Sequence, residues 1–258
     1  MLSSPSKEHT VGKHGSDIKI TAESGVLSSV AITNDLTATK EMCIHCFNII
    51  LQDLLQDQTA TLSPSLLDAI SPETECPLFV TWDKKHQSDY SLRGCIGTLA
   101  PRPLKQALGD YAATSAFRDN RFNPIAINEV YDLRVGVSLL VNYELCQNCF
   151  DWEVGVHGII IKFYFGGSHY NATFLPEVAQ QQGWSQQDTI SHLVHKAGYN
   201  GVLSTDLLAA INCNRYQSSK QRMDFIEYKN IVGKDPISDA LGERSANKKW
   251  RGFFQNFS

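Results

Sequence analysis

The sequence predicts an α+β fold with a mainly antiparallel or mixed sheet flanked by helices. Three observations carry that expectation. Amphipathic helical stripes alternate with β-favouring runs, several of those runs follow a period of two, and the shortest links between runs read as hairpin turns. The composition, 42% hydrophobic and 19% charged over 258 residues, is that of a globular chain with a sizeable core.

Residues 40–57 place Cys43, Cys46, Phe47, Ile50, Leu51 and Leu54 at helical spacings, with charged and amide side chains opposite. Residues 58–75, rich in Thr, Ser and acids and holding Pro64 and Pro72, read as a loop with a short helical turn at 66–70. The run Leu78-Phe79-Val80-Thr81-Trp82 reads as a strand, 84–90 as the turn after it, and 92–99 as its hairpin partner. Alternation on that partner sends Arg93, Cys95 and Gly97 to one face. Pro101 and Pro103 are expected to end the sheet before a helix marked by Leu104, Leu108, Tyr111 and Ser115. A charged loop at 118–124 follows.

Leu133, Val135, Val137, Leu139 and Val141 alternate onto one face, and Gly158–Phe165 is a dense β-rich run turning at Gly166-Gly167 into a strand at 170–175. Ser185 and Asp188 have the spacing of a capping box, so a helix is expected from there to just before Gly198. Residues 204–210 read as helical, and 211–225 give only weak strand and turn signals.

The 12 Phe, 4 Trp and 9 Tyr all lie between Phe47 and Phe257, whereas residues 1–40 hold 12 Ser or Thr and balanced charges. Residues 1–36 therefore read as a disordered extension, 37–233 as the folded domain and 234–258 as an irregular tail. That tail carries the basic aromatic segment Lys248-Lys249-Trp250-Arg251-Gly252-Phe253-Phe254, read as an element that docks a partner, an anionic membrane or RNA, or as a poorly ordered terminus. Against 27 Asp and Glu stand 23 Lys and Arg, a net charge of −4 that disfavours nucleic acid as a partner. No run reaches the roughly 18 apolar residues of a membrane span, and no signal peptide is read at the start. An intracellular setting, cytoplasm or nucleus, is expected, with the seven cysteines as reduced thiols.

Phosphate-loop, dinucleotide, zinc-protease and serine-hydrolase motifs are absent from the sequence, so no cofactor is assigned. Cys43/Cys46 and Cys146/Cys149 have zinc-knuckle spacing, yet the first pair sits on an apolar helix face and the pairs lie about 100 residues apart, so no metal is assigned. Cys95 is flanked by Gly94 and Gly97 and shares its expected face with Arg93, which would favour the thiolate. It reads as a candidate nucleophile or as a small buried residue. His157 is the candidate base, or else a turn histidine between Gly155 and Gly158. Asp119 and Arg121 read as ligand-positioning residues or a loop salt bridge, and Glu177 as a ligand-binding acid or one favoured in a helix's first turn.

Leu92-Arg93-Gly94-Cys95-Ile96-Gly97-Thr98 resembles the signature of the AMMECR domain family. Similar agreement is found at Cys76-Pro77-Leu78-Phe79-Val80-Thr81-Trp82, at Arg118-Asp119-Asn120-Arg121-Phe122, at 151–159 and at 172–179, where Phe174 replaces the family's Tyr. The resemblance implies two unequal subdomains around a cleft, and supplies no established reaction. It also implies a pathway link to a Memo-type protein and a radical enzyme, in which this chain is an accessory. The leading expectation is a cleft lined by Arg93, Cys95 and His157, with Asp119, Arg121 and Glu177, that binds a small ligand or modified side chain. The alternatives are a noncatalytic scaffold for an unknown protein partner and, third, a nucleic-acid-associated protein.

Overall fold

Period-two strands need a partner layer for their apolar face, and here two helices supply it for half of one continuous sheet. The computed structural model describes residues 36–56 and 67–240 together with the backbone of residues 19–20. In chain order the elements are β1 (Lys19–Ile20), α1 (Lys40–Leu55), β2 (Glu75–His86), β3 (Asp89–Pro103), α2 (Leu104–Phe117), a 3₁₀ turn (Ile127–Asp132), β4 (Leu133–Leu145), β5 (Gly158–Phe165), β6 (Ser168–Phe174), α3 (Pro176–Gln182), α4 (Gln186–Lys196), α5 (Thr205–Ala210), β7 (Asn212–Asp224) and α6 (Phe225–Val232). The sheet order is β1-β3-β2-β4-β7-β5-β6. Every long pair is antiparallel, and only the two-residue β1 lies parallel to its neighbour. The α+β class read from the sequence is the class of the fold.

Alternation divides the side chains of β2 and β4 cleanly. Leu78, Val80 and Trp82 join Val135, Val137 and Leu139 beneath α1 and α2. Phe47 of α1 anchors that layer, with its ring centroid 5.3 Å from Trp82 and 5.0 Å from Tyr228. The polar tips are satisfied: Trp82 Nε1 donates to the Ala112 carbonyl at 3.1 Å, and the Tyr228 hydroxyl to Asn48 Oδ1 at 2.9 Å. A second cluster, with Trp152, Ile161, Phe163, Ile190 and Leu193, fills the space between β5, β6 and α4. A small third one, Phe79, Cys95, Leu140 and Tyr216, lies on the sheet face turned away from α1 and α2.

The capping box closes as expected, with Ser185 Oγ accepting the Asp188 N–H and Asp188 Oδ2 accepting the Ser185 N–H. Several bounds differ from expectation. The β2–β3 turn shrinks to two residues, with Gln87 at φ +56°. β3 runs through Pro101 to Pro103, because β1 pairs only at Ile96 and Gly97 and a missing N–H beyond them costs no ladder bond. Residues 212–224 form a full strand, paired with β5 over residues 212–216 and with β4 over residues 214–224. The ordered chain also continues past residue 233, with Ile237 buried in the first cluster. The expectations for residues 1–18, 21–35, 57–66 and 241–258, including the basic aromatic segment, lie outside the described residues.

Gly94 is where β3 and α2 come closest, and a Cβ there would overlap the Ser115 carbonyl oxygen. Backbone on both sides leaves little room to yield, so Gly94→Ala is expected to lower stability by at least about 2 kcal/mol in urea unfolding.

Candidate functional site

The close approach at Gly94 brings the end of α2 against β3, and the chain leaving α2 delivers Asp119 and Arg121 to that strand's edge. Asp119 is 4% exposed. Its Oδ2 accepts the Cys95 N–H at 2.9 Å, and Arg121 Nη2 donates to the Cys95 carbonyl at 3.1 Å. The two side chains are themselves bidentate, Arg121 Nε to Asp119 Oδ1 at 3.0 Å and Nη2 to Oδ2 at 2.7 Å. Together they stand in for a neighbouring strand at one residue, and β1 takes over at Ile96. Burial works to raise the Asp119 pKa, but its bonds from Arg121 and the Cys95 N–H prevail and hold it below the ordinary carboxylate value.

Arg93 departs from the face assigned by simple alternation. Trp82 pairs with Gly94 and Asp83 with Leu92, leaving Arg93 as the extra residue of a β-bulge. The bulge leaves Leu92 and Cys95 lining one cleft and turns Arg93 away from it. Arg93 instead forks onto Glu129 of the 3₁₀ turn, Nε to Oε1 at 3.1 Å and Nη2 to Oε2 at 3.0 Å. Lys84, two residues beyond the helix-facing Trp82, reaches the same carboxylate at 2.9 Å. The Arg93 bonds, chiefly, hold the Glu129 pKa down at about 2 against the effect of burial.

On the opposite face the Cys95 thiol lies 3.1 Å from Thr81 Oγ1. Thr81, Cys95, Ser138, Glu177, Lys220 and Arg222, from β2, β3, β4, α3 and β7, line a cleft of about 200 Å³. Glu177 sits in the first turn of α3 and pairs with Lys220 at 2.8 Å. The structure thus brings Cys95 and Glu177 to one cleft, while Asp119 and Arg121 hold the Cys95 backbone. His157 is not in the cleft lining. Its Nδ1 accepts the Glu153 backbone N–H at 3.1 Å and the His157 backbone N–H donates to the Glu153 carbonyl at 3.0 Å, which closes the 153–157 turn. Burial pushes the Cys95 thiol above its ordinary pKa, against the Thr81 bond and the Arg121 charge.

Sequence reasoning missed Ser138, Lys220 and Arg222. The available signal was the period-two pattern Ser219, Gln221, Met223 against Lys220, Arg222, which puts two cations on one side of a strand. The two Cys-x-x-Cys pairs are separated, Cys43 and Cys46 in the first core cluster and Cys146 and Cys149 in the second. All seven cysteines are free and buried. No helix among the described residues is long and apolar enough to cross a membrane.

The AMMECR1 family model matches residues 43–221, which span α1 through most of β7 and include four of the five elements that line the cleft in full. The chain belongs to the AMMECR1 family. An uncharacterised protein of Arabidopsis thaliana is 42% identical over 200 residues, 76% of this chain and 90% of its own length. An uncharacterised protein of Schizosaccharomyces pombe is 38% identical over 189 residues, 73% of this chain and 94% of its own length. The crystal structure of an uncharacterised protein from Pyrococcus horikoshii superposes with a TM-score of 0.51 at 22% identity, covering 72% of this chain and 94% of that one. That likeness concerns the fold of the AMMECR1 domain.

Glu129 gives the AMMECR1 domain a defined acid response. Its pKa falls from an ordinary 4.5 to about 2 on folding, so the unfolded chain takes up this proton first as pH drops. The stability contributed by Glu129 is complete above about 4.5 and lost as pH falls toward about 2. Glu129→Gln is expected to flatten the stability–pH curve inside that window, measured by urea unfolding; an unchanged acid limb would exclude the linkage.

Proposed function

We propose that the AMMECR1 domain of this chain is a binding domain whose cleft above Cys95 takes a small ligand or a modified side chain. The observation that carries the reading is the convergence of Thr81, Cys95, Ser138, Glu177, Lys220 and Arg222 from five elements on one concavity. Its volume, about 200 Å³, lies below the roughly 300–1,000 Å³ of cofactor and drug-sized pockets, which favours a fragment or single side chain over a dinucleotide. A side chain presented by a protein partner unites this reading with the scaffold alternative, and a Memo-type partner remains what the family resemblance implies. An intracellular setting agrees with seven free thiols.

Cys95 is read here as a hydrogen-bonding floor rather than a nucleophile. A nucleophilic cysteine needs its thiolate, and burial raises the Cys95 pKa while the imidazole of His157 is held in another turn. The nucleic-acid alternative gains nothing from a net charge of −4.

Backbone-amide NMR on the full chain tests the reading. A fragment library is expected to yield compounds that shift the amides of Thr81, Cys95, Ser138 and Lys220. A library with no member acting at the cleft, or with hits gathered elsewhere, overturns the assignment. Cys95→Ser is expected to keep those affinities within about threefold, the scale of one exchanged neutral hydrogen bond; a time-dependent adduct on Cys95 that the variant cannot form would reinstate the nucleophile.

A further inference from the structure

We propose that the group seated in this cleft is an oxyanion, a carboxylate or phosphoryl group, and that Arg222 is its principal anchor. The inference rests on the binding reading above and names its ligand class. Three charged side chains line the cleft: Lys220, Arg222 and Glu177. Lys220 and Glu177 neutralise one another at 2.8 Å, so Arg222 is the uncompensated charge.

Its isolation sets it apart from other arginines of this sheet and its borders. Arg93 has Glu129, Arg121 has Asp119, Arg134 has Asp83, and Arg215 has both Glu144 and Asp151. Among the described residues Arg222 has no carboxylate within ion-pair distance. The side chain is exposed, and its stem crosses β4 at Gly136, where a built Cβ would lie 3.5 Å from Cγ and 3.9 Å from Nε. The stem therefore runs along the sheet at Gly136 as far as Nε, and the exposed head lines the cleft. The Ser138 hydroxyl, opposite Lys220 in the register, lines the same cleft and has no hydrogen-bond partner among the described residues, which leaves a neutral donor in the cleft.

A guanidinium fork matches the two oxygens of a carboxylate or phosphoryl group, and a free hydroxyl can donate to the same acceptor. The preference is local, because the chain as a whole carries a charge of −4 and would not gather anions at long range. Glu177 gives the site a second feature. While it holds Lys220, the cleft presents a net single positive charge suited to one anionic group.

The test uses benzoate and inorganic phosphate against neutral benzamide at matched ionic strength, read on the cleft amides by backbone-amide NMR. At least one anion is expected to bind about tenfold or more tightly than benzamide, and the two anions separate carboxylate from phosphoryl chemistry. Arg222→Gln is expected to erase that preference without a change in melting temperature. Glu177→Gln frees Lys220 and is expected to tighten anion binding severalfold, a gain that misfolding cannot produce. Benzamide binding as well as the anions, or Arg222→Gln keeping the preference, overturns the oxyanion assignment and leaves the cleft as a binding site. Silence at the cleft from both anions and the whole fragment library overturns both readings.

Discussion

A buried backbone N–H or C=O without a partner costs about 1–3 kcal/mol. At Cys95 the structure meets that cost with side chains: Asp119 accepts the N–H and Arg121 donates to the carbonyl. Those two contacts require the end of α2 to lie against β3, and that contact in turn requires a residue without Cβ at position 94. The Leu-Arg-Gly-Cys segment is therefore a docking device before it is a site. Gly94 sets the helix distance, the Asp119–Arg121 pair seals the edge, and the Cys95 side chain is fixed on the far face as a consequence.

The far face differs from the helix-covered one because the same strands carry different residues at alternate positions. β2 puts Trp82 under α2 and Thr81 into the cleft, β4 puts Val137 and Leu139 under α1 and α2 and Ser138 opposite, and β7 puts Met223 inward and Arg222 outward. Small and polar side chains leave a shallow floor, which α3 roofs in part with Glu177. The cleft is thus a product of pleating rather than of a loop. Its dimensions follow the register of four paired strands, each fixed by a buried apolar face that a one-residue slip would expose.

Much of this was legible in the sequence. The hairpin, the amphipathic helices, the capping box and the alternation of β4 follow from local periodicity, and each appears in the fold. Two failures were physical. Alternation could not place Arg93, because a bulge adds one residue and breaks the period at that point. β7 was nearly invisible because Asn212, Asn214, Gln217, Ser218 and Lys220 give it no apolar run; its strand character comes from pairing with β4 over residues 214–224 and with β5 over residues 212–216. Lys220, one of the residues that hid the strand, and Arg222 supply the cations of the cleft. A weak strand signal and a charged cleft lining thus meet in the same half of β7, which pairs with β4 alone.

Charge placement bears on whether the cleft is suited to recognition or to turnover. Several of the acids and bases around the Leu-Arg-Gly-Cys segment and in the 153–157 turn are committed to structure: Asp119 to a backbone N–H and Arg121, Glu129 to Arg93 and Lys84, and His157 to its own turn. Burial keeps the Cys95 sulfur protonated more firmly than a free thiol, and the Thr81 hydroxyl engages it at 3.1 Å. A proton-transfer catalyst needs a group whose charge can change near neutral pH within reach of the reacting atom. This cleft instead presents a permanent guanidinium, an open hydroxyl and one internally neutralised ion pair. Fixed charges of this kind discriminate among ligands by complementarity, which is why the arrangement supports the binding role proposed above.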